Sequence, residues 1–282
     1  MTTFPKMIDR RSVVSGAASV VGLSGAQGLT ATVLKAAANR AQGRATLAVA
    51  ASLRFVFEDA VSAWQASGKT TSANDIRLVF GATSTLTHQI ENGAPFDALF
   101  AADTQSPLRL SQAKLTAHQP RVFARGQLAL VSVKSSGLTV DANFTGLKTA
   151  LGSGKLRRLA LANPELAPYG LAAMQALQKA GLAGTVADSL VYGENVGQAA
   201  QFALSGAAQA GLIALSLART EVASARLNVA VVDQSWHDPI EHVMARLHTK
   251  STLADQFCSF VGSNEMAEIL LKHGFIAIAE QH

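Results

Sequence analysis

Residues 45–66 read ATLAVAASLRFVFEDAVSAWQA. The first six carry no charge and alternate small with branched apolar residues, which predicts a buried strand over 46–51. Apolar residues then recur at helical spacing through Leu53, Val56, Phe57, Ala60 and Trp64, which predicts a helix over 53–66. Between them lies a junction, Ala50-Ala51-Ser52-Leu53, with Ser52 placed as the N-cap of that helix. The same rhythm repeats downstream. Strands are expected at 76–80, 98–101, 128–133, 159–162, 190–192, 211–215 and 227–232, and helices at 85–91, 171–180, 196–204, 253–261 and 265–273. Short apolar runs alternating with helical patterns define an α/β chain built on largely parallel strands. The length from residue 45 onward suits two α/β lobes.

Composition narrows the functional classes. Of 282 residues, 49% are hydrophobic and 15% charged, which excludes a disordered chain. The formal charge of +5 would favour nucleic acid or an anionic surface, but its position removes that reading. Lys6, Arg10, Arg11, Lys35, Arg40 and Arg44 stand against Asp9 alone in the first 44 residues, so the remainder is neutral. Trp64, Trp236 and the twelve phenylalanines are scattered, unlike a base-stacking platform. The single cysteine, Cys258, can form neither an intrachain disulfide nor a paired-thiolate zinc site.

The basic excess sits in an export-like segment. Asp9-Arg10-Arg11 precedes the small, mildly apolar run 12–25, a signal-peptide pattern similar to the twin-arginine type, with Val13 and Val14 where a bulkier apolar residue is usual. Small residues permit cleavage after Ala26 or after Ala38. No lipid-bearing cysteine follows, so the expected destination is a periplasm, and no later segment is long enough to span a membrane.

Four strand-to-helix junctions carry hydroxyls, glycines or prolines where an α/β sheet places its ligands, at the carboxyl ends of strands. These are 50–53; 80–86 with Gly81, Thr83, Ser84 and Thr85; 162–170 with Asn163, Pro164, Pro168, Tyr169 and Gly170; and 193–198 with Glu194, Asn195 and Val196. Helix N-termini favour anions, because first-turn N–H groups lack partners and the macrodipole is positive there. A serine or threonine before a helix is usually only a cap. Four such junctions in order point further.

With these motifs the chain resembles the periplasmic molybdate-binding proteins of ABC importers, members of the two-lobed type II solute-binding fold. The resemblance covers nearly all of 45–275. It is carried by Ala50-Ala51-Ser52-Leu53, Ser84-Thr85-Leu86, the stretch 89–97, Ala101-Ala102-Asp103, the stretch 163–170, Glu194-Asn195-Val196, the stretch 211–216 and His273-Gly274-Phe275. It implies one lobe from 45–125 with 237–282, a second from 126–236, and a hinged cleft between them. It further implies that Ser52, Thr83 with Ser84 adjoining, and the backbones of Tyr169 and Val196 hold molybdate or tungstate. These would be contacts to the anion's oxygens rather than to its metal. No other cofactor is implied, and the expected partners are a transmembrane permease and its cytoplasmic ATPase, met by a monomer.

Two departures stand out. Ala214 occupies a position where relatives carry a tyrosine, and Tyr169 is expected to take over with its side chain. Arg54 stands where small or neutral residues are usual, and is expected on the helix surface. Two rival readings remain: the same fold holding sulfate, phosphate or a small organic acid, and a secreted hydrolase using Ser52. The hydrolase has little support, since no Gly-x-Ser-x-Gly elbow occurs and the histidines show no metal or triad spacing, reading instead as surface or packing residues. Asp103 is expected to cap the Ser106-Pro107 turn or brace the hinge.

Overall fold

The computed structural model describes residues 44–68 and 75–278. The export-like segment and its cleavage sites lie outside the described residues. Elements run in the order β1 (Ala45–Ala50), α1 (Arg54–Ala66), β2 (Ile76–Gly81), α2 (Thr83–Glu91), β3 (Ala98–Ala101), α3 (Gln105–Gln112) and β4 (Arg121–Gly126). Next come β5 (Leu128–Val133), α4 (Thr145–Gly152), β6 (Leu159–Ala162), α5 (Pro168–Lys179), α6 (Ala183–Val186), β7 (Leu190–Gly193) and α7 (Val196–Leu204). The chain closes with β8 (Ala210–Ala214), α8 (Leu215–Ala218), α9 (Glu221–Arg226), β9 (Leu227–Val231), β10 (Ile240–Arg246), α10 (Thr252–Val261), α11 (Asn264–Lys272) and β11 (Ile276–Ala277).

Two sheets flanked by helices result, ordered β11-β4-β10-β3-β1-β2 and β7-β6-β8-β5-β9. The expected α/β architecture is present, but the sheets are mixed rather than mostly parallel. β1 pairs in parallel with β2 and β3, and β6 with β7 and β8. The ladders of β10 with β3 and β4, of β11 with β4, and of β5 with β8 and β9 are antiparallel. The excess of antiparallel pairing arises because β4 and β10 each run from one sheet towards the other. Gln127 alone separates β4 from β5, and residues 232–239 separate β9 from β10. The chain therefore crosses between sheets twice, and the first sheet is built from both ends of the described chain.

Strands β4, β10 and β11 and helices α3, α4, α6, α8 and α9 are absent from the sequence expectation. β10 is the instructive case. Its sequence, Ile240-Glu241-His242-Val243-Met244-Ala245-Arg246, looks too polar for an interior strand, yet all but Glu241 are buried. Arg246 is tolerated there because its guanidinium meets a set of acceptors. It donates from Nε to Asp255 Oδ1 at 2.6 Å, from Nη1 to Asp97 O at 2.9 Å and Thr249 Oγ1 at 2.8 Å, and from Nη2 to Ser251 O at 2.9 Å. A buried cation is stable only when paired and hydrogen-bonded in this way.

The core continues from one sheet into the other. In the first, the face of α1 read from the sequence closes on the sheet: Phe57 packs edge-on against Phe100 at 4.6 Å between centroids, and Trp64 against Phe257 at 5.6 Å. Cys258 is buried, and desolvation pushes its thiol up to about 12, so it behaves as a small apolar residue. No described helix is long and apolar enough to cross a membrane.

Candidate functional site

The four junctions converge. Ala50, Ala51 and Ser52; Gly81, Ala82 and Thr83; Ala167, Pro168 and Tyr169; and Asn195 and Val196, together with Ala102, enclose one cavity between the two sheets. Its volume, measured by the centre of a water-sized sphere, is about 10 Å³, the scale of one water or small ion. The helices α2 and α5 begin here with no side-chain cap, while α7 is capped by Asn195, whose side chain accepts from Gln198 N. Pro168 opens α5 and has no N–H, so Tyr169 supplies that helix's first available donor. None of the residues lining the cavity carries a charge.

Gly170 sets how closely α5 can approach. A Cβ there would lie 2.3 Å from the Ala162 carbonyl oxygen, so the first turn of α5 sits directly on the end of β6. Gly126, at the first crossing, is equally constrained. A Cβ there would lie 2.0 Å from the Tyr169 hydroxyl and 2.8 Å from His242 Cε1. Tyr169 thus reaches from the second sheet to the end of β4 in the first.

Ser52 does not cap α1. It lies in a 3₁₀ turn, Ala51–Leu53, and its hydroxyl meets His242 Nε2 at 3.0 Å, while its carbonyl accepts from Ser216 Oγ at 2.7 Å across the cleft. Tertiary partners have overridden the local capping preference. Thr83 Oγ1 accepts from Ala102 N at 3.1 Å, which leaves its proton for another acceptor. Ser84 does not line the cavity, and its N–H donates to Leu166 O at 3.2 Å. It bridges the two halves instead. Tyr169 is 2% exposed, and burial pushes its phenol well above its ordinary value, against a smaller opposing effect of the Ser52 side chain. Its hydroxyl has the Ser52 side chain nearby but makes no hydrogen bond of full geometry.

His242, read from the sequence as a surface or packing residue, does not line the cavity but stands behind it, against Ser52. It is fully buried, and desolvation holds its imidazole down to about 3, against a smaller upward pull from the Ile240 backbone. It is therefore neutral at physiological pH. Its ring stands edge-on to Phe275 at 5.0 Å, with Tyr169 at 6.1 Å and Phe123 at 6.3 Å. Nothing in the local sequence marks it, because its partner Ser52 is 190 residues away.

A family model described as bacterial extracellular solute-binding protein matches residues 45–276. The chain belongs to that family. Among its relatives is the molybdate-binding protein ModA of Azotobacter vinelandii, 35% identical over 189 residues, or 67% of this chain and 70% of the relative. The solved structure of the Azotobacter vinelandii periplasmic molybdate-binding protein aligns with a TM-score of 0.73 at 25% identity, covering 83% of this chain and 99% of that one. The sulfate-binding protein SubI of Mycobacterium tuberculosis H37Rv shares the fold, with a TM-score of 0.66 at 13% identity, covering 83% of this chain and 87% of that one.

Within this solute-binding protein the two departures have structural answers. Ala214 ends β8, fully buried and outside the cavity lining. Arg54 leaves the cleft: its guanidinium lies 4.2 Å over the Phe80 ring, and Nη1 is 3.6 Å from Glu58 Oε1. Its side chain is 46% exposed. Arg54→Ala is expected to leave affinity for a cleft-bound anion within about twofold, since exposed pairs contribute little. Calorimetry on the variant checks this, and a tenfold loss would place the guanidinium in the site. Asp103 accepts from Ser106 N at 2.7 Å and Ser106 Oγ at 3.1 Å, so it caps that turn as expected. Burial raises its carboxyl, which those hydrogen bonds oppose.

Proposed function

We propose that this chain is the substrate-binding component of an ABC importer, capturing molybdate, and tungstate with it, in the cavity between its two halves. The observation that carries the reading is the Tyr169 hydroxyl, buried and without a hydrogen bond of full geometry on a charge-free cavity ringed by helix N-termini. A buried hydroxyl left unpaired costs about 1–3 kcal/mol, a cost that an anion oxygen would offset. Ser52, Thr83 and Tyr169 would donate through hydroxyls, and Tyr169 and Val196 through backbone N–H groups.

Neutral donors suffice for a dianion. Each such bond is charge-assisted, and the helix N-termini add favourable potential without the desolvation cost of a buried cation. Selection then rests on size. A ring of donors spaced for molybdate leaves the smaller sulfate underbonded, and it treats molybdate and tungstate nearly alike. Closure of the two halves would remove water, with the bonds from Ser216 Oγ to Ser52 O and from Ser84 N to Leu166 O as its latches. The loaded protein would present its ion to a transmembrane permease driven by a cytoplasmic ATPase, from a periplasm, as a monomer.

Melting the protein against molybdate, tungstate, sulfate and phosphate tests the reading. Millimolar molybdate or tungstate should raise Tm strongly, as expected for a ligand far above its Kd, with little effect of the other two. Equal shifts by sulfate or phosphate would reject the size-selected site. Ser52→Ala should weaken molybdate by about 1–3 kcal/mol in calorimetry, and an unchanged Kd would remove Ser52 from the ligand shell.

A hydrolase built on Ser52 and His242 fares poorly on chemistry. The pair is within reach, but an imidazole held at about 3 is a weak base at neutral pH, and no carboxylate bonds its Nδ1.

A further inference from the structure

A hydroxyl has one proton. Ser52 can donate it to a bound oxyanion only if its partner His242 does not take it, so the direction of the 3.0 Å contact between Ser52 Oγ and His242 Nε2 decides whether Ser52 is a donor at all. We propose that His242 is the positioning residue of the anion site: its Nε2–H donates to Ser52 Oγ and so turns the serine proton towards the cavity. This rests on the oxyanion reading above.

Three observations support that direction. His242 and Ser52 are both buried, so no bulk water competes for either group. Nδ1 makes no hydrogen bond. Placing the proton on Nδ1 would leave a buried N–H with only the Ile240 backbone nearby, in a contact that falls short of a hydrogen bond, a less tolerable state than a bare ring nitrogen. The ring itself cannot swing away, since Phe275, Phe123, Tyr169 and the Gly126 backbone close around it. Thr83 has the same logic with a different partner, accepting from Ala102 N and keeping its own proton. Two hydroxyls on the first sheet would thus be oriented by fixed donors behind them before any anion arrives, which reduces the ordering cost of binding.

The test combines a double-mutant cycle with nitrogen NMR. His242→Leu should weaken molybdate about tenfold in calorimetry, because Ser52 loses the donor that orients it. His242→Gln, whose amide can place an N–H near the former Nε2, should recover most of that loss. In a Ser52→Ala background neither substitution should change affinity further. An equal penalty with and without Ser52, or no penalty at all, would reduce His242 to packing and overturn the proposal. The ¹⁵N spectrum of the wild-type imidazole should show Nε2 protonated and Nδ1 bare, and the reverse would overturn it even if His242→Leu fails to fold. Wild-type protein that binds no oxyanion but keeps an Nε2–H imidazole would sink the oxyanion reading and leave the hydrogen-bond direction standing. Molybdate binding by a protein with an Nδ1–H imidazole would sink this proposal alone.

Discussion

Gly170→Ala is expected to lower stability by about 2–3 kcal/mol and to weaken molybdate at least tenfold, an outcome opposite to what helix propensity alone predicts. Alanine in a helix is favoured over glycine by about 1 kcal/mol. Here the added methyl would lie 2.3 Å from the Ala162 carbonyl oxygen and 2.9 Å from two backbone carbonyl carbons, those of Ala162 and Asn163. Those atoms belong to β6 and the turn after it and cannot yield as a side-chain tip would. Overpacking of this kind costs about 1–3 kcal/mol and occasionally more, so the collision outweighs the propensity gain. The relief available is a shift of α5, which carries the Tyr169 N–H and hydroxyl away from the cavity. Thermal melts without ligand and calorimetry with molybdate read the two effects separately. A variant that melts and binds like the parent would show that α5 does not rest on β6 as described.

Arg246→Met should be the most damaging substitution remote from the cavity, lowering stability by about 3–5 kcal/mol. Methionine matches the length of the stem, so packing is largely kept. What disappears is the donor set. The carbonyls of Asp97 and Ser251 each keep a backbone donor, Leu247 N and Asp255 N, but lose their bond to the guanidinium, as do the hydroxyl and carbonyl of Thr249, and a hydrogen bond to a charged group contributes about 1.5–3 kcal/mol. The Asp255 carboxylate loses its ion pair as well, though its 56% exposure makes that term small. For a chain of this size the drop corresponds to roughly 6–20 °C in Tm. Chemical denaturation should show it as a lower midpoint at unchanged slope. Stability equal to the parent would mean the guanidinium is replaceable by water.

Much of the site was legible because its ingredients are local. Strand, hydroxyl or glycine, then helix is a pattern within ten residues, and its four repetitions marked the junctions, while the choice of Ser52, Thr83, Tyr169 and Val196 within them came from the family resemblance. What the sequence could not show is what each side chain does on arrival. Ser52 looked like a cap because capping is the commonest local use of serine, and a histidine 190 residues away claimed it instead. Ser84 looked equivalent to Thr83, yet one step along a helix turns a group by about 100°, enough to move it from the cavity to the opposite half. β10 was hidden because a strand in mid-sheet is buried on both faces and shows no alternation. Of its two buried polar residues, His242 meets Ser52 190 residues away, and Arg246 meets Asp97 149 residues away as well as Thr249, Ser251 and Asp255 just downstream. Arg54 was the reverse case: a charge next to the site whose nearest available neighbours, Phe80 and Glu58, hold it outside.

The place of β10 in the first sheet also bears on how the molecule is made. It lies between β3 and β4, though it follows them by more than a hundred residues of chain. On a ribosome delivering the N-terminus first, β5 to β9 are all present, and the second sheet has every strand it needs, while the first is still split down its middle with two open edges. The half that carries Ser52 and Thr83 can therefore be completed only after the half that carries Tyr169 and Val196, and a nascent chain arrested before residue 240 would expose those unpaired edges to aggregation.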